Sequence, residues 1–82
     1  MSVTMAVYDI RIDLKPGVSD AEGRNVEKAL RLLGFDVTSV RVSKMYRIEV
    51  ASKDPDADVE TMCQRLLANP VIQDYTIMRL PE

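Results

Sequence analysis

The sequence predicts a small α+β domain with the element order β-α-β-α-β, in which two helices lie on one face of an antiparallel sheet. Three patterns indicate this fold. Apolar and polar residues alternate over residues 8–14, which is the period of a half-buried strand, and apolar residues occupy every even position of 40–50 except Lys44. Two further stretches space their apolar residues three and four apart, as amphipathic helices do. The 82 residues have room for one domain, which we expect to span residues 1–82.

The first strand is expected over residues 3–14 and ends at the Lys-Pro-Gly sequence of 15–17, because proline lacks the amide donor that a strand ladder needs. Its apolar face consists of Tyr8, Ile10, Ile12 and Leu14. The capping-box pattern from Ser19 to Glu22 predicts a helix with Ser19 as its N-cap. The apolar positions of this helix are Val26, Ala29, Leu30 and Leu33. Gly34 stands where a left-handed residue commonly ends a helix.

The stretch 35–52 is the most informative for the architecture. Its apolar side chains at even positions are Val40, Val42, Tyr46, Ile48 and Val50. A two-residue hairpin would reverse this parity, because the residues that flank such a turn share a face, and the stretch has no glycine. We therefore expect one long, bent central strand over residues 37–51. At about 3.3 Å per residue it would span roughly 50 Å, so its far end should pair with or pack on another chain.

A second helix is predicted from Asp54 as N-cap, with Pro55 at the first helical position. Its apolar stripe consists of Val59, Met62, Cys63, Leu66 and Leu67. Asn69 and Pro70 are expected to end this helix, since asparagine tolerates the left-handed conformation and proline cannot continue a helix. The last strand is expected over residues 71–80. One face of it would carry Val71, Tyr75, Ile77 and Arg79.

Composition excludes several classes of function. With 11 basic and 13 acidic residues, the chain does not attract polyphosphate, so nucleic-acid and anionic-membrane binding are not expected. No stretch approaches the roughly 20 apolar residues of a membrane span, and the first residues lack the basic region of a signal peptide, so we expect a cytoplasmic protein. A domain of this size buries only about 60% of its unfolded surface and is marginally stable alone. One cysteine and no histidine provide neither a disulfide within the chain nor a zinc site, which leaves association with other chains.

The residue types that could perform chemistry all have a simpler structural explanation. Cys63 has no histidine to activate it and lies in an apolar stripe, so we expect a core residue. The acidic residues of 54–60 serve the start of a helix, because the central glycine and terminal glutamate of a calcium loop are absent. Residues 15–17 lack the glycines of a phosphate loop. We therefore expect no catalytic, cofactor-binding or metal-binding residue in this chain.

The segment 62–75 reads Met-Cys-Gln-Arg-Leu-Leu-Ala-Asn-Pro-Val-Ile-Gln-Asp-Tyr. It resembles the PurS family of phosphoribosylformylglycinamidine (FGAM) synthase subunits, in which a Cys-x-x-Leu-Leu-Ala-Asn-Pro-Val-Ile-x-x-Tyr pattern recurs. Earlier segments agree in order, so the resemblance covers nearly the whole chain: 7–14 followed by 15–18, then 29–30 and 33–35, and 40–42 followed by Lys44. Ser43 departs from the glycine that relatives often carry before this lysine.

The resemblance implies a PurS-like fold related to the ferredoxin-like folds, and an accessory subunit of FGAM synthase with no activity alone. Such a chain forms a homodimer or dimer of dimers and works with a large synthetase subunit and a glutaminase subunit, bridging them and aiding ammonia transfer. ATP and magnesium are expected on the large subunit and no cofactor on this chain. The candidate subunit-interface or family-motif residues are Arg41, Lys44, Arg47, Asn69, Pro70 and Tyr75.

Two alternatives belong beside this interpretation. The basic residues Arg41, Lys44 and Arg47 could contact an anion or another subunit, and a plain solvated strand face explains them more simply. An ACT-like regulatory module, which binds small molecules at a dimer interface, is the alternative function for a domain of this size. Such modules normally have a second hairpin and therefore four strands, so the number of strands distinguishes the two.

Overall fold

A computed structural model describes residues 2–81 and has the predicted order of elements, which confirms the α+β class. The elements are β1 (Thr4–Leu14), α1 (Ala21–Leu32), β2 (Lys44–Ser52), α2 (Pro55–Met62), a π-helical turn (Cys63–Leu67) and β3 (Gln73–Arg79). The strands form one antiparallel sheet in the order β2-β1-β3. The central strand is therefore β1, and the prediction that the strand within 37–51 is central is wrong, because β2 pairs only with β1 and lies at the edge.

The core lies between the sheet and α2, because β1 turns its even-numbered side chains toward this helix. The buried residues of the core are Ala6, Tyr8, Ile10, Ile12, Val50, Val59, Cys63 and Ala68. Tyr46, Ile48, Tyr75 and Ile77 pack against them from the flanking strands. The predicted apolar faces of all three strands are therefore confirmed at these positions.

The first half of the predicted long strand is not a strand within the chain. β2 begins at Lys44, and no turn interrupts it, so the prediction against a hairpin is confirmed while the start at residue 37 is wrong. In the register Ile12 pairs with Lys44, so the preceding Ser43 and Val42 would face Asp13 and Leu14, the last residues of β1. Instead, the Val42 amide donates to the Asp20 side chain. Pro16 and Gly17 turn the chain away beyond the end of β1, which leaves residues 37–41 no strand to pair with in their own chain.

The N-cap of α1 is Asp20 rather than Ser19. The Asp20 side chain accepts a hydrogen bond from the Gly23 amide at 2.8 Å, whereas the Ser19 hydroxyl accepts one from Arg24 at 2.6 Å. The end of α1 follows the prediction, because Gly34 has φ +95° and the amides of Gly34 and Phe35 donate to Arg31 and Leu30 in a Schellman motif.

The predicted apolar stripe of the second helix is wrong at Leu66, whose exposed fraction is 83%. The Ala68 amide donates to the Cys63 carbonyl at 3.1 Å, an i→i+5 bond of a π-helix. Such a turn holds more residues than an α-helical turn. This wider winding rotates Leu66 away from the core, while Leu67 still packs against it.

The segment between the π-helical turn and β3 also differs from the prediction. Asn69 does not adopt the left-handed conformation, since among residues 2–81 only glycines have positive φ. Instead its side-chain oxygen accepts from the Val71 amide at 3.0 Å and its carbonyl from the Gln73 amide at 2.8 Å. Because of this turn, β3 begins only at Gln73, and Val71 is exposed instead of lying on a strand face.

Candidate subunit interface

Residues 20–43 form an arm that projects from the sheet and consists of Asp20, α1 and the segment 33–43. We call residues 35–43, which lead back to the sheet, the return segment. Only Gly23 of the twelve residues of α1 is buried, so within one chain the cover of the sheet face comes from α2. The radius of gyration is 16.7 Å, whereas a compact domain of this length has about 12 Å. The chain extends over 58 × 28 × 13 Å. It is an elongated molecule with an uncovered helix.

The arm exposes large apolar side chains that a stable monomer would bury. They are Val26 with 42% of its surface exposed, Leu32 with 80%, Leu33 with 73% and Phe35 with 58%. The whole chain exposes 6198 Å², whereas a compact monomer of 9.2 kDa exposes about 4,900 Å². An excess of this size, together with exposed apolar side chains on one projecting element, is typical of a chain whose surface another chain covers.

The arm is attached at its root through Asp20. One oxygen of this carboxylate accepts from the Gly23 amide and the other from the Val42 amide of the return segment, both at 2.8 Å. These two backbone donors, Val42 first, lower the pKa of Asp20 below its ordinary value. Arg41 adds a second attachment by donating to the Leu14 carbonyl at 3.1 Å.

The sheet face opposite α2 is open and mixes ion pairs with methionines. Arg47 binds Asp9 through two hydrogen bonds of 2.7 and 2.8 Å, and the hydrogen bond from Arg47 lowers the pKa of Asp9. Met45 and Met78 flank this pair, with 62% and 60% of their surface exposed. The candidate residue Arg47 is therefore an exposed group on this open face.

The other predicted site residues gather near the end of the sheet from which the arm leaves. Lys44 and Tyr75 flank Ile12 on neighbouring strands, and the loop with Asn69 and Pro70 leads into β3 beside the end of β1. The hydroxyl of Tyr75 donates to Glu60 at 2.5 Å, and Asn69 shapes the turn described above. The structure thus brings five of the six candidates to one region and leaves Arg47 on the open face.

Sequence reasoning missed the contacts that hold α2 against the sheet. The hydroxyl of the buried Tyr8 donates to Asp56, and Arg79 binds the same carboxylate at 3.1 Å while lying 5.8 Å from the Tyr8 ring centre. The hydrogen bond from Tyr8 lowers the pKa of Asp56, and burial raises that of Tyr8. The sequence placed Asp56 in the first turn of a helix and offered no sign of its partners in β1 and β3.

Cys63 is fully buried in the core, as predicted. Burial, and secondarily the charge of Glu60, raises the pKa of its thiol, which disfavours the reactive thiolate.

In the described residues 2–81, no three histidine, cysteine or acidic side chains converge as a metal site would require. No helix within the same range is long and apolar enough to cross a membrane.

A Cys63→Ala replacement is expected to lower the free energy of unfolding by about 1 kcal/mol, because a buried free cysteine behaves as a small hydrophobic group. Denaturant unfolding measures this cost, with Cys63→Val as the control that keeps an apolar side chain. If the chain works in the complex that the family resemblance implies, the activity of that complex should be retained. A folded, assembled Cys63→Ala protein with no activity would assign a chemical role to the thiol.

These features define a class of protein: a small α+β chain whose distinctive surface is an uncovered arm with exposed apolar side chains. The PurS family, described as phosphoribosylformylglycinamidine (FGAM) synthase, matches residues 7–80. The chain is 45% identical over 76 residues to the FGAM synthase subunit PurS of Archaeoglobus fulgidus, covering 88% of this chain and 95% of the relative. The chain belongs to the PurS family.

Solved structures agree with this assignment. The crystal structure of Methanocaldococcus jannaschii PurS, one of the subunits of formylglycinamide ribonucleotide amidotransferase in the purine biosynthetic pathway, superposes with a TM-score of 0.81 at 40% identity. The match covers 94% of this chain and 98% of that one. A chain in the structure of PurLQS from Thermotoga maritima matches with a TM-score of 0.82 at 27% identity, over 94% of this chain and 99% of that one.

Proposed function

We propose that this chain is a non-catalytic accessory subunit of phosphoribosylformylglycinamidine synthase in de novo purine biosynthesis, working in the cytoplasm. The observation that supports this most strongly is the uncovered arm on a member of the PurS family. In this proposal the chain bridges a large synthetase subunit and a glutaminase subunit and aids the transfer of ammonia between them. ATP and magnesium bind on the large subunit, and the reaction takes place in the assembled ligase complex.

We further propose that the chain forms a homodimer, or a dimer of dimers, through its arm. The surface in excess of a compact monomer is about 1,300 Å², which exceeds the roughly 800 Å² that each partner buries in a standard interface. The return segment continues directly into β2 and has no neighbouring strand in its own chain. The Phe35 and Val42 amides and the Val37 and Thr38 carbonyls bond within the chain. The other backbone groups of the return segment are available to extend a sheet of the second copy, and α1 would then cover apolar surface there.

The ACT-like alternative is not favoured by the fold. It requires four strands with a second hairpin, and residues 2–81 form three strands in which β2 is uninterrupted. The similarity to a chain of PurLQS from Thermotoga maritima instead supports association with two different subunits. Arg41, Lys44, Arg47, Asn69, Pro70 and Tyr75 remain the candidate subunit-interface or family-motif residues.

Association is tested by light scattering of the isolated chain and by co-elution with the two other subunits. We expect a mass of about 18 kDa or 37 kDa, two or four times the 9.2 kDa monomer, at micromolar concentration. We also expect one co-eluting complex when all three subunits are mixed. A stable monomer would contradict the homodimer, and separate elution of this chain under assay conditions would contradict the accessory role.

A further inference from the structure

The two ends of the arm meet at one side chain. Asp20 directly precedes α1, and Val42 lies near the end of the return segment, 22 residues later. The Asp20 carboxylate accepts from the backbone amides on both sides, from Gly23 and from Val42, at 2.8 Å each. A single charged group therefore joins the place where the arm leaves the sheet to the place where it returns.

Gly23 makes this junction possible by its lack of a side chain. It is the buried residue of α1, and a Cβ atom there would lie 2.5 Å from the Val40 carbonyl oxygen and 2.7 Å from Asp20 Oδ2. Glycine inside a helix is less stable than alanine by about 1 kcal/mol, so helix formation alone favours alanine at this position. The close approach of the return segment to α1 explains why glycine is found there.

We propose that Asp20 and Gly23 form a latch that fixes the direction in which the arm leaves the sheet, and that this direction determines whether the arm can bind a second copy of the chain. The inference rests on the proposed homodimer and assigns it two positioning residues. Asp54 provides the contrast, because its carboxylate caps α2 by accepting from the Ala57 amide at 3.2 Å in an ordinary N-cap.

The direction of the arm matters because the arm is a lever. The twelve residues of α1 measure about 18 Å, so a rotation of roughly 15° at the root moves the far end by about 5 Å. The apolar side chains Leu33 and Phe35 lie at that far end. Well-packed interface cores match protein interiors in complementarity, and a displacement of this size would remove their contacts with a second copy.

Gly23→Ala is the decisive variant, because helix propensity and the latch predict opposite results. Alanine favours the helix, whereas its Cβ forces the return segment away from α1. We expect the homodimer dissociation constant, measured by sedimentation, to rise at least about tenfold. Asn25→Ala is the matched control, since it adds the same helix-forming residue at an exposed position of α1 and should leave the constant unchanged or lower.

Asp20→Asn tests the carboxylate independently. The asparagine amide nitrogen is a donor, so one of the two backbone N–H groups loses its acceptor. We expect a rise in the dissociation constant of about tenfold, as for loss of one charge-assisted hydrogen bond, and faster exchange of the Val42 amide hydrogen. Asp54→Asn is the control for removal of the charge at a helix N-cap, since asparagine keeps the cap, and it should leave the dimer constant within about twofold.

Amide exchange of Ile10 and Ile12 shows whether each variant retains the folded sheet. Dimerisation like that of the unaltered chain in both Gly23→Ala and Asp20→Asn would overturn the latch and leave the homodimer standing. A monomeric unaltered chain would contradict the homodimer and with it the role of the latch. A matching rise in the Asp54→Asn control would show that loss of a negative charge at a helix N-terminus, rather than the latch, weakens assembly.

Discussion

Replacing Val26 with aspartate is expected to dissociate the homodimer, with a dissociation constant more than about a hundredfold above that of the unaltered chain. Val26 lies in the middle of α1 on the apolar side of the arm and has 42% of its surface exposed in one chain. A carboxylate placed in a desolvated apolar interface costs several kcal/mol, and each 1.4 kcal/mol weakens binding about tenfold.

The control for this variant is Asn25→Asp, which makes the same change of net charge at the neighbouring, exposed position of α1. We expect the control to remain dimeric in light scattering, while Val26→Asp elutes as a folded monomer with the sheet retained by circular dichroism. A dimer that tolerates aspartate at Val26 would show that this side of the arm is not the contact surface. Loss of the dimer in both variants would indicate an effect of charge rather than of the apolar surface.

The sheet and the ends of the helices could be predicted from the sequence because local patterns determine them. The alternation along β1 and the even positions of β2 specify which side chains face the core, and a shift by one residue would expose all of them. The pair of Asp54 and Pro55 started α2 as predicted, and Gly34 ended α1 with the expected left-handed geometry. Each of these signals lies within a few residues of the structure that it determines.

The errors occurred where a distant part of the chain decides the local structure. Ser19 and Asp20 are both good N-caps, and the choice of Asp20 goes together with its second hydrogen bond to Val42, far away in sequence. Residues 37–41 are not part of β2 because β1, the partner strand, ends at Leu14 and the chain turns away at Pro16. The π-helical turn that exposes Leu66 has no reliable sequence pattern.

The candidate interface was only partly accessible from sequence for the same reason. The small size of the chain and its lack of a disulfide or zinc site indicated association, but they did not indicate which surface associates. That surface became visible only when the structure left α1 without cover and exposed Val26 and Phe35. The latch at Asp20 could not be predicted, since it depends on the Val42 amide and the Val40 carbonyl approaching α1 in three dimensions.

Removal of this chain from the reconstituted synthase is expected to reduce glutamine-dependent product formation to background. If the chain holds the glutaminase against the synthetase, ammonia released in the complex is used before solvent dilutes or protonates it. Free ammonia at high concentration needs no docked glutaminase, so the ammonia-dependent rate should fall much less. The chain alone should show neither activity.

The measurement that tests this account most directly compares the two nitrogen sources in mixtures of the large synthetase subunit and the glutaminase, with and without this chain. The account predicts that omission of the chain abolishes the glutamine-dependent rate and spares most of the ammonia-dependent rate. Hydrolysis of glutamine by the glutaminase alone, without the synthetase, is the control that shows that the glutaminase protein is intact. Equal glutamine-dependent rates in the two mixtures would contradict the coupling role, and product formed by this chain alone would contradict its non-catalytic nature.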